Sequence, residues 1–223
     1  MLLAIDTTTD MAGVALYDEQ GLRGEQVWRS SANHTVELMP YIVRACDQQS
    51  LKPTDLKAVG VSLGPGSFTG VRVGMSVAKG LALALAIPLL GVPALDAAAY
   101  AHCREVLPVC AVLRAGRRRW CSAFYQTVAG HWQRQTAYAL ANTEQLIASL
   151  QEPAFICGEL DLQLRQELQQ ARADIVLASP AAAVRRPGYL AELAWKRFVA
   201  GERDDLTSLA PIYLQSVGLA STS

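Results

Sequence analysis

Hydrophobic positions along this chain repeat with two different periods. Leu2 to Asp6, Ala12 to Tyr17 and Leu22 to Trp28 are short apolar or alternating runs that read as three strands, with Asp18-Glu19-Gln20-Gly21 as the hairpin turn. The period then lengthens, predicting a helix from about Thr35 to Gln49. A strand at Ala58 to Leu63, a glycine-rich turn and a second helix from about Thr69 to Ala86 follow. Leu89 to Val92 adds a strand and Leu95 to about Cys103 a helix. After Pro108 the order returns: Val109 to Arg114, Trp120 to Gln126 and Trp132 to Ala139 read as strands, and Thr143 to Leu150 as a helix with Glu144 and Gln145 in its first turn. Next come a strand at Phe155 to Cys157, a helix near Leu162 to Ala171, a strand at Ile175 to Leu177 and a helix from about Gly188 to Ala200.

A strand-strand-strand-helix-strand-helix unit therefore occurs twice. Duplication of that unit predicts an α/β fold of two ribonuclease-H-like lobes, each a mixed sheet flanked by helices. The lobes are expected at residues 1–104 and 105–223. The last helix, with Leu190, Leu193, Ala194 and Phe198 inward, is expected to close the second lobe, and the tail from Ala210 to return to the first. The 223 residues are 51% hydrophobic and only 18% charged, which predicts a buried partner surface. The 20 basic residues balance the 20 acidic ones, so no global field draws the protein to nucleic acid or an anionic membrane. Cys46, Cys103, Cys110, Cys121 and Cys157 form no C-x-x-C and are odd in number, which fits free thiols in a reducing cytosol. Met1 to Asp6 lacks a basic leader, and the uncharged run between Lys79 and Asp96 is shorter than the ~20 residues a bilayer span needs. A cytoplasmic protein without a membrane partner is expected.

Candidate chemistry concentrates in two turns. Leu63-Gly64-Pro65-Gly66-Ser67-Phe68-Thr69-Gly70 precedes the second helix; its glycines permit positive φ and close backbone approach, and Ser67 or Thr69 can cap the helix. Its spacing is neither the dinucleotide fingerprint nor a P-loop, so it reads either as a structural turn or as a phosphate cradle. Arg114-Ala115-Gly116-Arg117-Arg118-Arg119 is the second turn, and it reads either as a solvated hairpin tip or as a phosphate or RNA contact. His34, His102 and His131 are scattered, so no local pair binds a metal. His34 is read as a cap or interface hydrogen-bonder, Trp120 and Trp132 as sheet packing, and Arg185-Arg186-Pro187 as a solvated linker.

Ala4-Ile5-Asp6-Thr7-Thr8-Thr9, the glycine turn through Arg72, Asn33-His34-Thr35, Pro88-Leu89-Leu90-Gly91-Val92 and Pro211-Ile212-Tyr213-Leu214 together resemble the TsaB (YeaZ) family of the sugar kinase, actin and Hsp70-like superfamily. The resemblance implies a non-catalytic paralogue of TsaD in the bacterial machinery that makes N6-threonylcarbamoyladenosine at position 37 of tRNA. It implies a scaffold with no catalytic side chain, pairing with TsaD through the first two helices, offering a platform to TsaE, touching tRNA indirectly and forming a homodimer when TsaD is absent. TsaD carries a His-x-x-x-His where this chain has Ala94 and Ala98, so neither metal nor catalytic residues are expected. Asp6, Thr7, Gly64, Gly66, Ser67 and Thr69 are then a vestigial phosphate or nucleotide loop, and ATP or ADP is expected only at a junction between subunits. The second-lobe turn departs from the family's motif, acidic-Ala-Arg followed by a Gly-Glu pair.

The partner face is assigned to two apolar stripes. Val36, Met39, Val43 and Cys46 lie at spacings of three and four on the first helix, and Val71, Met75, Ala78 and Ala82 on the second. Gly70, Gly74, Ala78 and Ala82, every fourth residue, let a neighbouring helix come close; burial of the second helix within its own domain is the alternative. Two other functions compete: a free-standing ATP-dependent kinase or phosphohydrolase using Asp6, Thr7, Thr9 and Asp10, and a glycoprotease-like peptidase, for which zinc ligands and a nucleophile beside a histidine are missing.

Overall fold

The structure is a computed structural model, and it describes residues 1–30, 33–116 and 118–214. Two mixed sheets stand on either side of a pair of helices. The first contains β1 (Leu2–Asp6), β2 (Met11–Asp18), β3 (Gly21–Arg29), β4 (Ala58–Ser62) and β5 (Leu89–Val92) in the order β3-β2-β1-β4-β5. The second contains β6 (Val109–Arg114), β7 (Arg119–Val128), β8 (His131–Arg134), β10 (Phe155–Gly158) and β11 (Val176–Leu177) in the order β11-β10-β6-β7-β8, with β9 (Ala139–Asn142) also paired to β7. In the first sheet β1 lies antiparallel to β2 and parallel to β4, and in the second β6 lies antiparallel to β7 and parallel to β10. The duplicated unit is thus a duplicated topology, two mixed sheets flanked by helices, as the repeated order predicts. The single strand expected from Trp132 to Ala139 is two strands, β8 and β9, taking successive stretches of β7. Between them Gln135 N–H donates to Phe124 O and Thr136 Oγ1 accepts from Phe124 N–H, at 2.7 and 3.0 Å.

Side-chain alternation on β1 sets the layers. Leu3 and Ile5 face α1 (His34–Gln48) and α2 (Phe68–Leu85), packing with Leu38, Ile42, Met75 and Ala78. Leu2 and Ala4 face the opposite way, onto Leu190, Ala191 and Ala194 of α6 (Pro187–Val199). The last helix therefore covers the first sheet, and the expectation that it closes the second lobe is wrong. Gly60 explains how close it comes: a Cβ there would sit 2.8 Å from Ala194 Cβ. Conversely α3 (Ala94–Tyr100) lays Leu95, Ala98 and Ala99 on Val109, Ala111 and Leu113 of the second sheet. The other face of that sheet is covered by α4 (Thr143–Ser149) and α5 (Leu162–Ala171). So α3 and α6 form the layer between the sheets, joined by Tyr100 O–H donating to Glu192 Oε1 at 2.6 Å.

After α6 the chain turns back along the first lobe. Asp204 N–H donates to Leu89 O at 2.9 Å, and Ile212 N–H to Leu63 O at 2.8 Å. The Asp204 carboxylate accepts from Arg197 at 2.9 and 3.0 Å and from Gly91 N–H at 2.6 Å. Burial alone raises the pKa of this carboxyl, but the Arg197 and Gly91 donors outweigh it and hold it below its ordinary value. A depressed carboxyl pKa contributes stability above its unfolded value, about 3.9, and loses it as pH falls through the folded value. Asp204→Asn is accordingly expected to cost about 1 kcal/mol at neutral pH. The cost should vanish in strong acid, and unfolding midpoints measured across pH check it.

Candidate functional site

Asp6 closes β1, and the three threonines after it are buried at the foot of the inter-lobe cleft. Asp6 Oδ1 accepts from Thr8 N–H at 3.0 Å and from Thr8 O–H at 2.6 Å, a compact Asx turn. The glycine turn lies directly on it. Ser67 N–H donates to Thr8 O at 2.6 Å, and Thr7 O–H donates to Gly70 O at 2.6 Å. Cβ atoms built at Gly66 and Gly70 would stand 2.2 Å from Thr8 O and 2.1 Å from Thr7 O. Gly70 therefore admits the Thr7 backbone and Gly74 the Thr7 side chain, not a neighbouring helix. Ser67 Oγ accepts from Gly70 N–H at 3.3 Å and is the cap of α2, while Thr69 points to solvent. Asp6, Thr7, Gly66 and Ser67 are brought together, whereas Gly64 faces Val71 and Ile212, and the backbone a phosphate would approach at Gly66 and Gly70 is already covered by threonine backbone.

Arg185 is not a solvated linker residue. Its guanidinium enters the Asp6 turn, donating to Thr8 Oγ1 at 2.6 Å and Thr9 Oγ1 at 2.9 Å, and lies 3.5 Å from Asp6 Oδ2. Sequence patterning missed it because a basic pair before a helix has the same composition whether it is wet or inserted. Its neighbour Arg186 donates to Glu25 at 2.5 Å and is exposed.

The arginine turn borders the same cleft. Arg114 N–H donates to Glu159 Oε2 at 3.1 Å, and Arg118 pairs with Glu167 at 3.1 Å across an exposed contact of little energetic weight. Arg119 opens β7 exposed, and Arg117 lies outside the described residues. Asp10, Arg29, Arg114, Glu159 and Asp161 line a cleft of about 440 Å³, so cations and carboxylates alternate there. Ala94 and Ala98 are buried in α3, and among the described residues no three His, Cys, Asp or Glu side chains converge. His34 is the first residue of α1, after the N-cap Asn33; it is buried and makes no capping bond. Trp120 donates to Thr143 Oγ1 at 3.1 Å inside the second lobe, and Trp132 stacks on Tyr125 at 5.8 Å.

The expected partner stripes separate on burial. On α1, Val36, Met39 and Val43 are 70%, 41% and 51% exposed. Cys46, Met75, Ala78 and Ala82 are buried in the first-lobe core and Val71 is buried against Gly64, so they cannot line a partner surface. The face α2 turns outward instead carries Phe68, Thr69, Arg72, Ser76 and Leu83, with Val73, Val77 and Leu81 half-buried. Phe68 and Arg72 went unassigned on sequence spacing, although they lie four apart at the helix start, which was the available signal. The Arg72 guanidinium stacks 3.7 Å above the Phe68 ring and donates to Tyr213 O–H at 2.9 Å.

The profile of the family described as "TsaD: tRNA N6-adenosine threonylcarbamoyltransferase" matches residues 28–195. The chain belongs to this family. Within the TsaD family its likeness is to the TsaB/YeaZ proteins. It is 39% identical over 95 residues to the tRNA threonylcarbamoyladenosine biosynthesis protein TsaB of Bacillus subtilis, an alignment of 43% of this chain and 42% of that protein. The chain thus matches less than half the length of that relative. With TsaB of Haemophilus influenzae it shares 28% identity over 229 residues, 96% of this chain and 93% of the other. The YeaZ structure from Pseudomonas aeruginosa superposes with a TM-score of 0.80 at 26% identity, covering 96% of this chain and 99% of that one.

Proposed function

We propose that this TsaD-family chain is an accessory subunit for threonylcarbamoylation of tRNA adenosine 37, acting as a scaffold that pairs with TsaD and contributes no catalytic side chain. The observation that carries the proposal is the exposed apolar ridge of Val36, Met39 and Val43 on α1, with Phe68 and Leu83 also exposed on α2. Covering five such side chains releases roughly 8–15 kcal/mol at about 1.5–3 kcal/mol each. Association costs on the order of 4–15 kcal/mol, so a ridge of this size supports pairing with a complementary helical face. The full-length likeness to TsaB proteins supports TsaD as that face. A homodimer over the same ridge follows when TsaD is absent. TsaE at the resulting platform, ATP or ADP at the subunit junction, indirect tRNA contact and a cytoplasmic setting complete the proposal.

The alternative of a free-standing kinase or phosphohydrolase is disfavoured by Asp6, whose carboxylate is already paired. Reconstitution tests the proposal. Mixed with TsaD from its own organism, this chain should elute in a joint complex and raise tRNA threonylcarbamoylation; TsaD fully active without it, or no joint complex, rejects the reading.

A further inference from the structure

The floor of the inter-lobe cleft holds a carboxylate and a guanidinium in one buried place. The side chains of Arg185 and Asp6 are 6% and 9% exposed, with Arg185 Nη2 3.5 Å from Asp6 Oδ2. Arg185 Nη1 donates to Thr8 Oγ1 at 2.6 Å, and Nη2 to Thr9 Oγ1 at 2.9 Å and Met11 O at 3.4 Å. A carboxylate, two hydroxyls and a carbonyl converging on one point are the hard oxygen ligands that suit Mg²⁺ or Mn²⁺. Here a planar fork of N–H donors takes their lone pairs.

We propose that Arg185 is the resident cation of the Asp6 turn, and that it bars a divalent metal, and with it a metal-bound nucleoside polyphosphate, from the cleft. A divalent metal and the residues of this turn therefore do not fit each other. A metal can enter only by expelling a guanidinium that is held from behind. Arg186 donates to Glu25 Oε1 at 2.5 Å and Gly188 N–H to Glu25 Oε2 at 3.1 Å, while the Pro187 ring fills the space a side chain at Gly13 would need. These contacts fix the backbone on the C-terminal side of Arg185 and leave it no slack to swing out. Expulsion would also strip Asp6 of its only ion pair among the described residues, and an unpaired buried carboxylate is costly. The proposal does not depend on the pairing with TsaD.

Mn²⁺ titration of the full chain tests it, read by thermal unfolding and by paramagnetic broadening of the Thr8 and Thr9 amide signals. The wild type should show neither a raised midpoint nor broadening at this turn. Arg185→Ala and Arg185→Gln should unfold at lower temperature, recover with Mn²⁺, and bind it at the turn at least about tenfold more tightly than wild type, because the carboxylate then lacks its counter-charge. Asp6→Asn combined with Arg185→Gln should lose that response. Broadening of Thr8 and Thr9 in the wild type overturns the proposal outright, whatever the variants do. A folded Arg185→Gln protein that gains no Mn²⁺ response overturns it as well.

Discussion

Gly70→Ala is expected to destabilise the protein by about 3 kcal/mol, although alanine is the better helix former. Gly80→Ala, in the same helix, is expected to stabilise it by about 1 kcal/mol. The opposite signs come from what each new methyl group meets. At Gly70 a Cβ stands 2.1 Å from the Thr7 carbonyl oxygen, which is backbone and is fixed between β1 and the Asx turn. At Gly80 nothing lies within 4 Å. Relief at Gly70 requires α2 to lift from β1, breaking the Thr7 O–H to Gly70 O bond and the Ser67 N–H to Thr8 O bond together. Urea unfolding of both variants beside the wild type checks the pair. Equal and favourable shifts at both positions would mean that α2 is not seated on the threonine turn.

The partner face yields the second large effect. Met39→Glu with Val43→Glu should weaken the joint complex with TsaD at least about a hundredfold, since two side chains covered at about 1.5–3 kcal/mol each are lost. The unfolding midpoint should barely move, because both positions are exposed on α1. Met75→Glu should do the reverse. Met75 packs in the first-lobe core, and a carboxylate there unfolds the lobe rather than detaching a partner. Sedimentation or calorimetric titration with TsaD, run beside thermal melts, separates the two classes. A complex indifferent to Met39→Glu with Val43→Glu would place the pairing surface elsewhere.

Residues 71 to 82 show why the site was less legible than the fold. Strand and helix periods locate the elements, and the repeated order locates the two sheets, because both follow from alternation along one chain. The spacing of Val71, Met75, Ala78 and Ala82 identifies an apolar stripe, yet a stripe looks the same whether its cover is the protein's own sheet or another molecule. Here the sheet covers it, and the exposed apolar face, the one proposed for the partner, is that holding Val36, Met39 and Val43. The same ambiguity misplaced the last helix. Leu190, Leu193 and Ala194 declare an inward face without naming the sheet it meets. Arg185 was illegible for a different reason: its role depends on Asp6 and Thr8, more than 170 positions away. No local pattern encodes so distant a pairing.

The exchange of α6 across the molecule bears on how the polypeptide matures. Every strand of the first sheet has been synthesised once Val92 is made, yet Leu2, Ala4, Ala15 and Ala58 stay uncovered until Leu190, Ala191 and Ala194 emerge. The half synthesised first is thus finished last, and vectorial synthesis holds a bare, greasy β surface open to holdase chaperones while the whole second sheet is made.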